Sequence, residues 1–190
     1  MKKMPFAVWI TGLPGSGKST IANELIKNLE NNEIKFEYLN MDKLRKKFAK
    51  KPGYGAKERD SAYKKFADIG INKIKKNKNV IFDATAHKRK YRDYAREKIR
   101  NFAEVYIKCP LRVCIKRESK RKHSLVIAEL YKKALERKDK KIKYGGLGIV
   151  VGVDVPYEES NPELIINSNK IKPKKAAQKI SLLLKNKNLI

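Results

Sequence analysis

Apolar residues fall along this chain in short unbroken runs, separated by stretches in which they recur at helical spacing. Phe6-Ala7-Val8-Trp9-Ile10 is one such run. Beyond a glycine-rich stretch, Ile21, Leu25 and Leu29 share one face of a helix opening at Lys18. Phe36-Glu37-Tyr38-Leu39-Asn40 reads as a second strand, Asp42 to Phe48 as a short helix, and Pro52-Gly53-Tyr54-Gly55 as a loop. Spacing is helical again from Lys57 to Lys76, with Tyr63, Phe66, Ile69 and Ile74 in an irregular stripe. Val80-Ile81-Phe82 is continuous, as a strand buried on both faces of a parallel sheet should be. A very basic helix is predicted from Lys88 to Phe102, a strand at Glu104-Val105-Tyr106-Ile107 and a helix from Leu111 to Glu118. Leu164-Ile165-Ile166 is the last strand and Ala176 to Leu184 the closing helix. Such alternation predicts an α/β fold, a mostly parallel sheet with helices on both faces and a ligand at the carboxyl ends of its strands. No internal repeat is visible, and residues 1–190 are expected to form one domain.

The stretch between the first strand and its helix is Gly12-Leu13-Pro14-Gly15-Ser16-Gly17-Lys18-Ser19-Thr20, a Gly-x-x-x-x-Gly-Lys-Ser pattern known as a P-loop. Gly12, Gly15 and Gly17 permit a tight turn whose N–H groups face phosphate oxygens, and the helix that follows offers its positive end to the same anion. Lys18 is expected to reach the β- and γ-phosphates and the Ser19 hydroxyl to ligate Mg²⁺. Because strand and helix flank the pattern on the required sides, the chain is read as a three-layer P-loop NTPase fold binding a nucleoside triphosphate.

Composition narrows the class further. No apolar run is long enough to span a membrane. The apolar stretch after the basic start belongs to the P-loop strand, which argues against a cleaved signal peptide. Cys109 and Cys114 lie close together without further partners, as small buried thiols in a reducing compartment would, and His87 and His123 are too isolated to suggest a metal site. A cytoplasmic location is expected. Lys and Arg number 47 against 20 acidic residues, a net charge of +27. That surplus is open to two readings, attraction of nucleic acid or plain solvated faces.

Two further strand ends carry candidate chemistry. Asp42 follows the second strand, where a carboxylate can take the proton of an incoming hydroxyl, and Arg45 one turn later can hold an anionic group on the acceptor. The alternative for Asp42 is a helix N-cap. Asp83, closing Val80-Ile81-Phe82, resembles the acid of P-loop proteins that orients Mg²⁺ or its water shell. A strand-ending turn residue is the alternative there.

The P-loop, the run Val105-Tyr106-Ile107-Lys108-Cys109-Pro110-Leu111-Arg112-Val113-Cys114, Leu130-Tyr131-Lys132-Lys133-Ala134, and Gly152-Val153-Asp154-Val155-Pro156-Tyr157-Glu158 with Pro162-Glu163-Leu164 resemble, in order, the adenylyl-sulfate kinases. That resemblance implies ATP, with Mg²⁺, phosphorylating the 3′-hydroxyl of adenylyl sulfate to give 3′-phosphoadenylyl sulfate (PAPS). It further implies that Asp42 matches the second acid of an Asp-Gly-Asp motif, with Arg45 and Arg59 as substrate-site arginines. Tyr54 would clamp the substrate adenine, Lys132 would lie near the substrate and Arg117 near the adenine of ATP. The chain departs from the family at Asn40, which replaces the first acid, at Thr85-Ala86-His87-Lys88, at Ala62, at Val150 in place of a second clamping aromatic, and in extra residues around 120–128 and 145–149.

Asn40-Met41-Asp42-Lys43-Leu44-Arg45 and Asp83-Ala84-Thr85 are also similar to polynucleotide kinase motifs, and a polynucleotide 5′-hydroxyl kinase is the alternative activity. A non-catalytic nucleotide switch is a third reading, opposed by Asp42 and Arg45 beside an intact P-loop. Residues 112–152 are expected to form a basic, mobile helical lid, with 13 Lys or Arg against 4 Asp or Glu between Arg112 and Lys143. Expected partners are a small nucleotide substrate, nucleic acid through the surplus charge and a second copy of the chain, with no membrane.

Overall fold

The computed structural model describes residues 4–48, 55–120 and 127–190. β1 (Ala7–Thr11) is wholly buried and forms the middle of the sheet. After it come α1 (Lys18–Glu30), β2 (Phe36–Asn40), α2 (Met41–Phe48), α3 (Ala56–Lys75), β3 (Asn79–Asp83), α4 (Arg89–Lys98) and β4 (Phe102–Lys108). α5 (Leu111–Ser119), α6 (Leu130–Lys140), β5 (Leu164–Asn167) and α7 (Pro173–Asn186) complete the order. Among the described residues the strands form one five-stranded sheet, β2-β3-β1-β4-β5, with every pair parallel.

Alternation along β1 builds two cores. Ala7 and Trp9 face the cluster that α3 and α4 cover, and Val8 and Ile10 face the one under α1 and α7. Trp9 stacks on Phe82 at 4.6 Å and meets Phe66 edge-on at 5.6 Å, so neighbouring strands and α3 interlock through aromatic rings. A third, smaller cluster, including Cys114, Tyr131, Ala134 and Leu147, lies where α5 and α6 rest beside the P-loop. The two cysteines are buried free thiols, and burial pushes the Cys114 thiol up to about 12.

One predicted boundary is corrected. The basic helix expected to run to Phe102 ends at Lys98. Ile99 takes an extended backbone, with φ of −122°, and turns into the core, and Phe102 already belongs to β4. No described helix is long and apolar enough to cross a membrane. The 52–54 part of the expected loop, with Tyr54, and residues 121–126 of the expected lid lie outside the described residues.

Candidate active site

The P-loop leaves β1 between the end of β4 and the start of α5, and that narrow passage explains its glycines. Gly12 has φ of 141°, and a Cβ on it would lie 2.4 Å from the Ile107 carbonyl oxygen. At Gly15, with φ of 78°, a Cβ would lie 2.5 Å from the Cys114 carbonyl oxygen. Only a residue without a side chain follows this path. The loop's carbonyls are held from several sides. Leu13 O accepts from the Lys18 ammonium at 2.8 Å and Pro14 O from the Tyr131 hydroxyl at 2.8 Å. Ser16 O accepts from Ser168 Oγ at 2.7 Å and Arg117 at 3.3 Å. Such anchoring fixes the shape in which the loop's amides can serve an anion.

The P-loop opens on a cavity of about 430 Å³. Lys18, Ser19 and Thr20 line one side, with Asp42, Arg45 and Arg59 also on its wall. α2 delivers Asp42 and Arg45, and it begins where β2 ends. Asn40 caps it, because Asn40 Oδ1 accepts from the Lys43 backbone N–H at 3.0 Å. The N-cap alternative for Asp42 is thereby corrected: the capping side chain is two residues earlier. Arg59, buried on α3, donates to the Ile149 carbonyl at 2.7 Å and so ties α3 to the segment after α6. Met41, Leu147 and Val150 add an apolar part to the wall.

Asp83 ends β3 and is 2% exposed. Its Oδ2 accepts from the Tyr38 hydroxyl at 2.7 Å and from Asn40 Nδ2 at 2.8 Å. Burial, reinforced by the Asp83 charge, holds the Tyr38 phenol above its ordinary value and keeps it a donor. Ser19 and Asp83 line the same cavity with hard oxygen donors. That donor chemistry fits Mg²⁺.

The structure does not gather every expected residue. Lys132 is outside the cavity lining, exposed on α6 and paired with Glu129 at 3.1 Å. Arg117 lines a neighbouring hollow with Gly15, Gly17, Thr20, Ser168 and Pro173, on the other side of the P-loop.

Beside the site, Thr11 and Arg92 carry no local sequence signal, yet both bind its framework. Thr11 Oγ1 donates to the Thr85 carbonyl at 2.7 Å and lies 3.0 Å from the Tyr157 hydroxyl. Tyr157 stacks on Tyr106 at 4.8 Å. Arg92, fully buried, donates to Glu104 at 2.8 Å and to the carbonyls of Ala86 and Glu158. The Pro-Tyr-Glu segment is thus fastened beneath the turn after β3. In that turn Ala86 has φ of 39°, and its N–H donates to the Tyr63 hydroxyl at 3.0 Å. The Pro-Tyr-Glu piece and the segments Asp83-Ala84-Thr85 and Thr85-Ala86-His87-Lys88 pointed to this region beforehand, but not to these contacts.

Comparison with known proteins agrees with this geometry. The model of the family described as adenylylsulphate kinase matches residues 4–167. A probable adenylyl-sulfate kinase of Archaeoglobus fulgidus is 34% identical over 168 residues, covering 88% of this chain and 98% of the relative. The adenylyl-sulfate kinase of Bacillus velezensis is 31% identical over 182 residues, covering 94% and 84%. Among solved structures, the Mycobacterium tuberculosis APS kinase in complex with AMPPNP and APS superposes with a TM-score of 0.78 at 25% identity, over 97% of this chain and 99% of that one. The strand order, the phosphate loop and these relatives agree: the chain belongs to the adenylylsulphate kinase family.

Proposed function

We propose that this protein transfers the γ-phosphoryl group of ATP to the 3′-hydroxyl of adenylyl sulfate, giving PAPS. The observation that carries this reading is the meeting, in one cavity of a chain of this family, of the P-loop Lys18 and Ser19 with Asp42, Arg45 and Arg59. Phosphoryl transfer asks for positioning and charge stabilisation more than covalent chemistry, and these residues supply both. Lys18 exchanges the Leu13 carbonyl for phosphate oxygens, and the loop amides bind the rest of the triphosphate. Ser19 and Asp83 would hold Mg²⁺, which would supply positive charge to offset that of the triphosphate.

Asp42 orients the acceptor hydroxyl and takes its proton, while Arg45 and Arg59 hold the anionic part of the acceptor. The apolar wall at Val150 receives the acceptor's adenine, a role that the family resemblance also gives to Tyr54, and Arg117 is assigned to the adenine of ATP. Lys132, exposed and paired with Glu129, is assigned no contact.

The relatives named above carry adenylyl sulfate in their names and lend nothing to a nucleic-acid partner. Supplying labelled ATP with adenylyl sulfate, with other nucleotides and with 5′-hydroxyl oligonucleotides tests the reading. Label is expected in adenylyl sulfate. Label confined to the oligonucleotide or to another nucleotide overturns the assignment.

A further inference from the structure

Strands β2 and β3 end level with one another. Asn40 and Asp83 are partners in the parallel register, so their side chains leave the sheet on the same side at the same height. They touch, Asn40 Nδ2 donating to Asp83 Oδ2 at 2.8 Å. Tyr38 lies on the same face of β2, two residues before Asn40. Its hydroxyl is 2.7 Å from Asp83 Oδ2 and 3.4 Å from Asn40 Nδ2, within reach of a carboxylate on either strand. Asn40 is 6% exposed and Asp83 2%. The other end of the Asn40 amide caps α2, the helix that carries Asp42.

We propose that Asn40 and Asp83 act as one unit of a single negative charge, in which Asp83 is the metal-side carboxylate, Asn40 the positioning residue that fixes it, and the acid and amide are exchangeable between the two strands. The proposal rests on the reading above that a magnesium nucleotide occupies the cavity.

Two donors occupy Asp83 Oδ2, and both come from neutral groups. They orient the carboxylate without cancelling its charge, and Oδ1 takes neither of these bonds. A carboxylate at both positions would bring like charges into hydrogen-bond contact, and an amide at both would leave no charge for a cation. One acid and one amide avoid both faults. Exchanging them keeps the charge, the amide-to-carboxylate bond and the reach of Tyr38. It also keeps the cap on α2, because Asp and Asn cap helices about equally well. Asn40 therefore links the carboxylate on the metal side to the helix on the acceptor side.

The test is calorimetric binding of a non-hydrolysable ATP analogue, with and without Mg²⁺, to the full chain and three variants, with thermal melting of each. Mg²⁺ should tighten binding to the wild type. Asp83→Asn should lose about tenfold or more of that gain, and Asn40→Asp/Asp83→Asn should regain most of it. Asn40→Ala keeps the acid but removes its positioning amide, and should lose about tenfold of the Mg²⁺-dependent gain while binding the metal-free nucleotide as the wild type does, as outer-shell changes at metal sites do. The proposal is overturned if Asp83→Asn keeps the whole gain, if the exchanged pair binds no better than Asp83→Asn, or if Asn40→Ala leaves the gain unchanged. Wild-type labelling of adenylyl sulfate, measured separately, tests the substrate reading, so either idea can fail while the other stands.

Discussion

The Asn40 side chain meets the Lys43 N–H, and this changes what can be asked of Asp42. Because the cap is on Asn40, Asp42→Asn should leave the capping hydrogen bond of α2 in place and the variant folded. If Asp42 takes the acceptor's proton, the same variant should lower kcat by about a hundredfold or more with little effect on ATP affinity. Steady-state kinetics beside a thermal melt checks both halves, and near-normal kcat would remove Asp42 from the chemistry. If Lys18 serves the phosphates as proposed, Lys18→Ala should cut turnover by more than tenfold, that is by more than about 1.4 kcal/mol of barrier. A smaller loss in a folded variant would show the triphosphate held by the loop amides alone. At this scale the sequence revealed what a motif or a strand end marks: the P-loop, Asp42, Arg45 and Asp83. Tyr38 and Thr11 stayed hidden because each finds its partner 45 to 146 positions away. No local pattern encodes such a distance.

At the scale of elements, strand–helix alternation was legible because most strands are apolar runs and the helices between them carry apolar faces, β2 with Glu37 and Asn40 being the least apolar. The end of α4 was not. Arg100 and Asn101 continue the polar character of the helix, and the inward turn of Ile99 is decided by packing under the sheet. Nor did any pattern predict the buried charge pair joining α4 to β4. Arg92 and Glu104 are both fully buried, and Glu104 also accepts from Ser160 at 2.5 Å and from Arg96 at 3.4 Å. Glu163 extends the network, accepting from Arg96 and from the Glu104 backbone N–H. Glu104→Ala should leave the Arg92 charge buried beside carbonyls alone and lower stability by about 3 kcal/mol, the usual range for breaking such a pair. Urea unfolding measures it. A loss under about 1 kcal/mol would mean that water or a neighbouring carboxylate reaches Arg92 in the variant. Because Arg92 also holds the Glu158 carbonyl, the same change should loosen the Pro-Tyr-Glu segment beneath the site.

For the whole molecule, the net charge of +27 informs association and solubility, whereas the fold follows from apolar patterning. The dependence of stability on pH is a property of the whole chain, and one residue dominates a defined part of it. His87 is 4% exposed. Burial, assisted by the positive charges of Arg59 and Lys88 and opposed by Glu158 and Asp60, pulls its imidazole from the ordinary 6.5 down to about 4. Between those values the unfolded chain binds a proton that the folded chain does not, so stability rises with pH through this window and is complete above it. At about 1.4 kcal/mol per pKa unit the full contribution is about 3 kcal/mol, of which about 2 kcal/mol is already lost at pH 5. Glu37, Asp60 and Glu163 are held below their ordinary values, and their stabilisation fails only as the pH drops below about 4.5. They add little between pH 7.5 and pH 5. Urea unfolding at those two pH values should therefore show the wild type weaker at pH 5 by about 2 kcal/mol, and His87→Gln nearly level. His123 is present in both proteins, so their difference isolates His87. Equal pH dependence in the two proteins would mean that His87 titrates in the folded chain as it does in water, and that its burial costs the protonated form nothing.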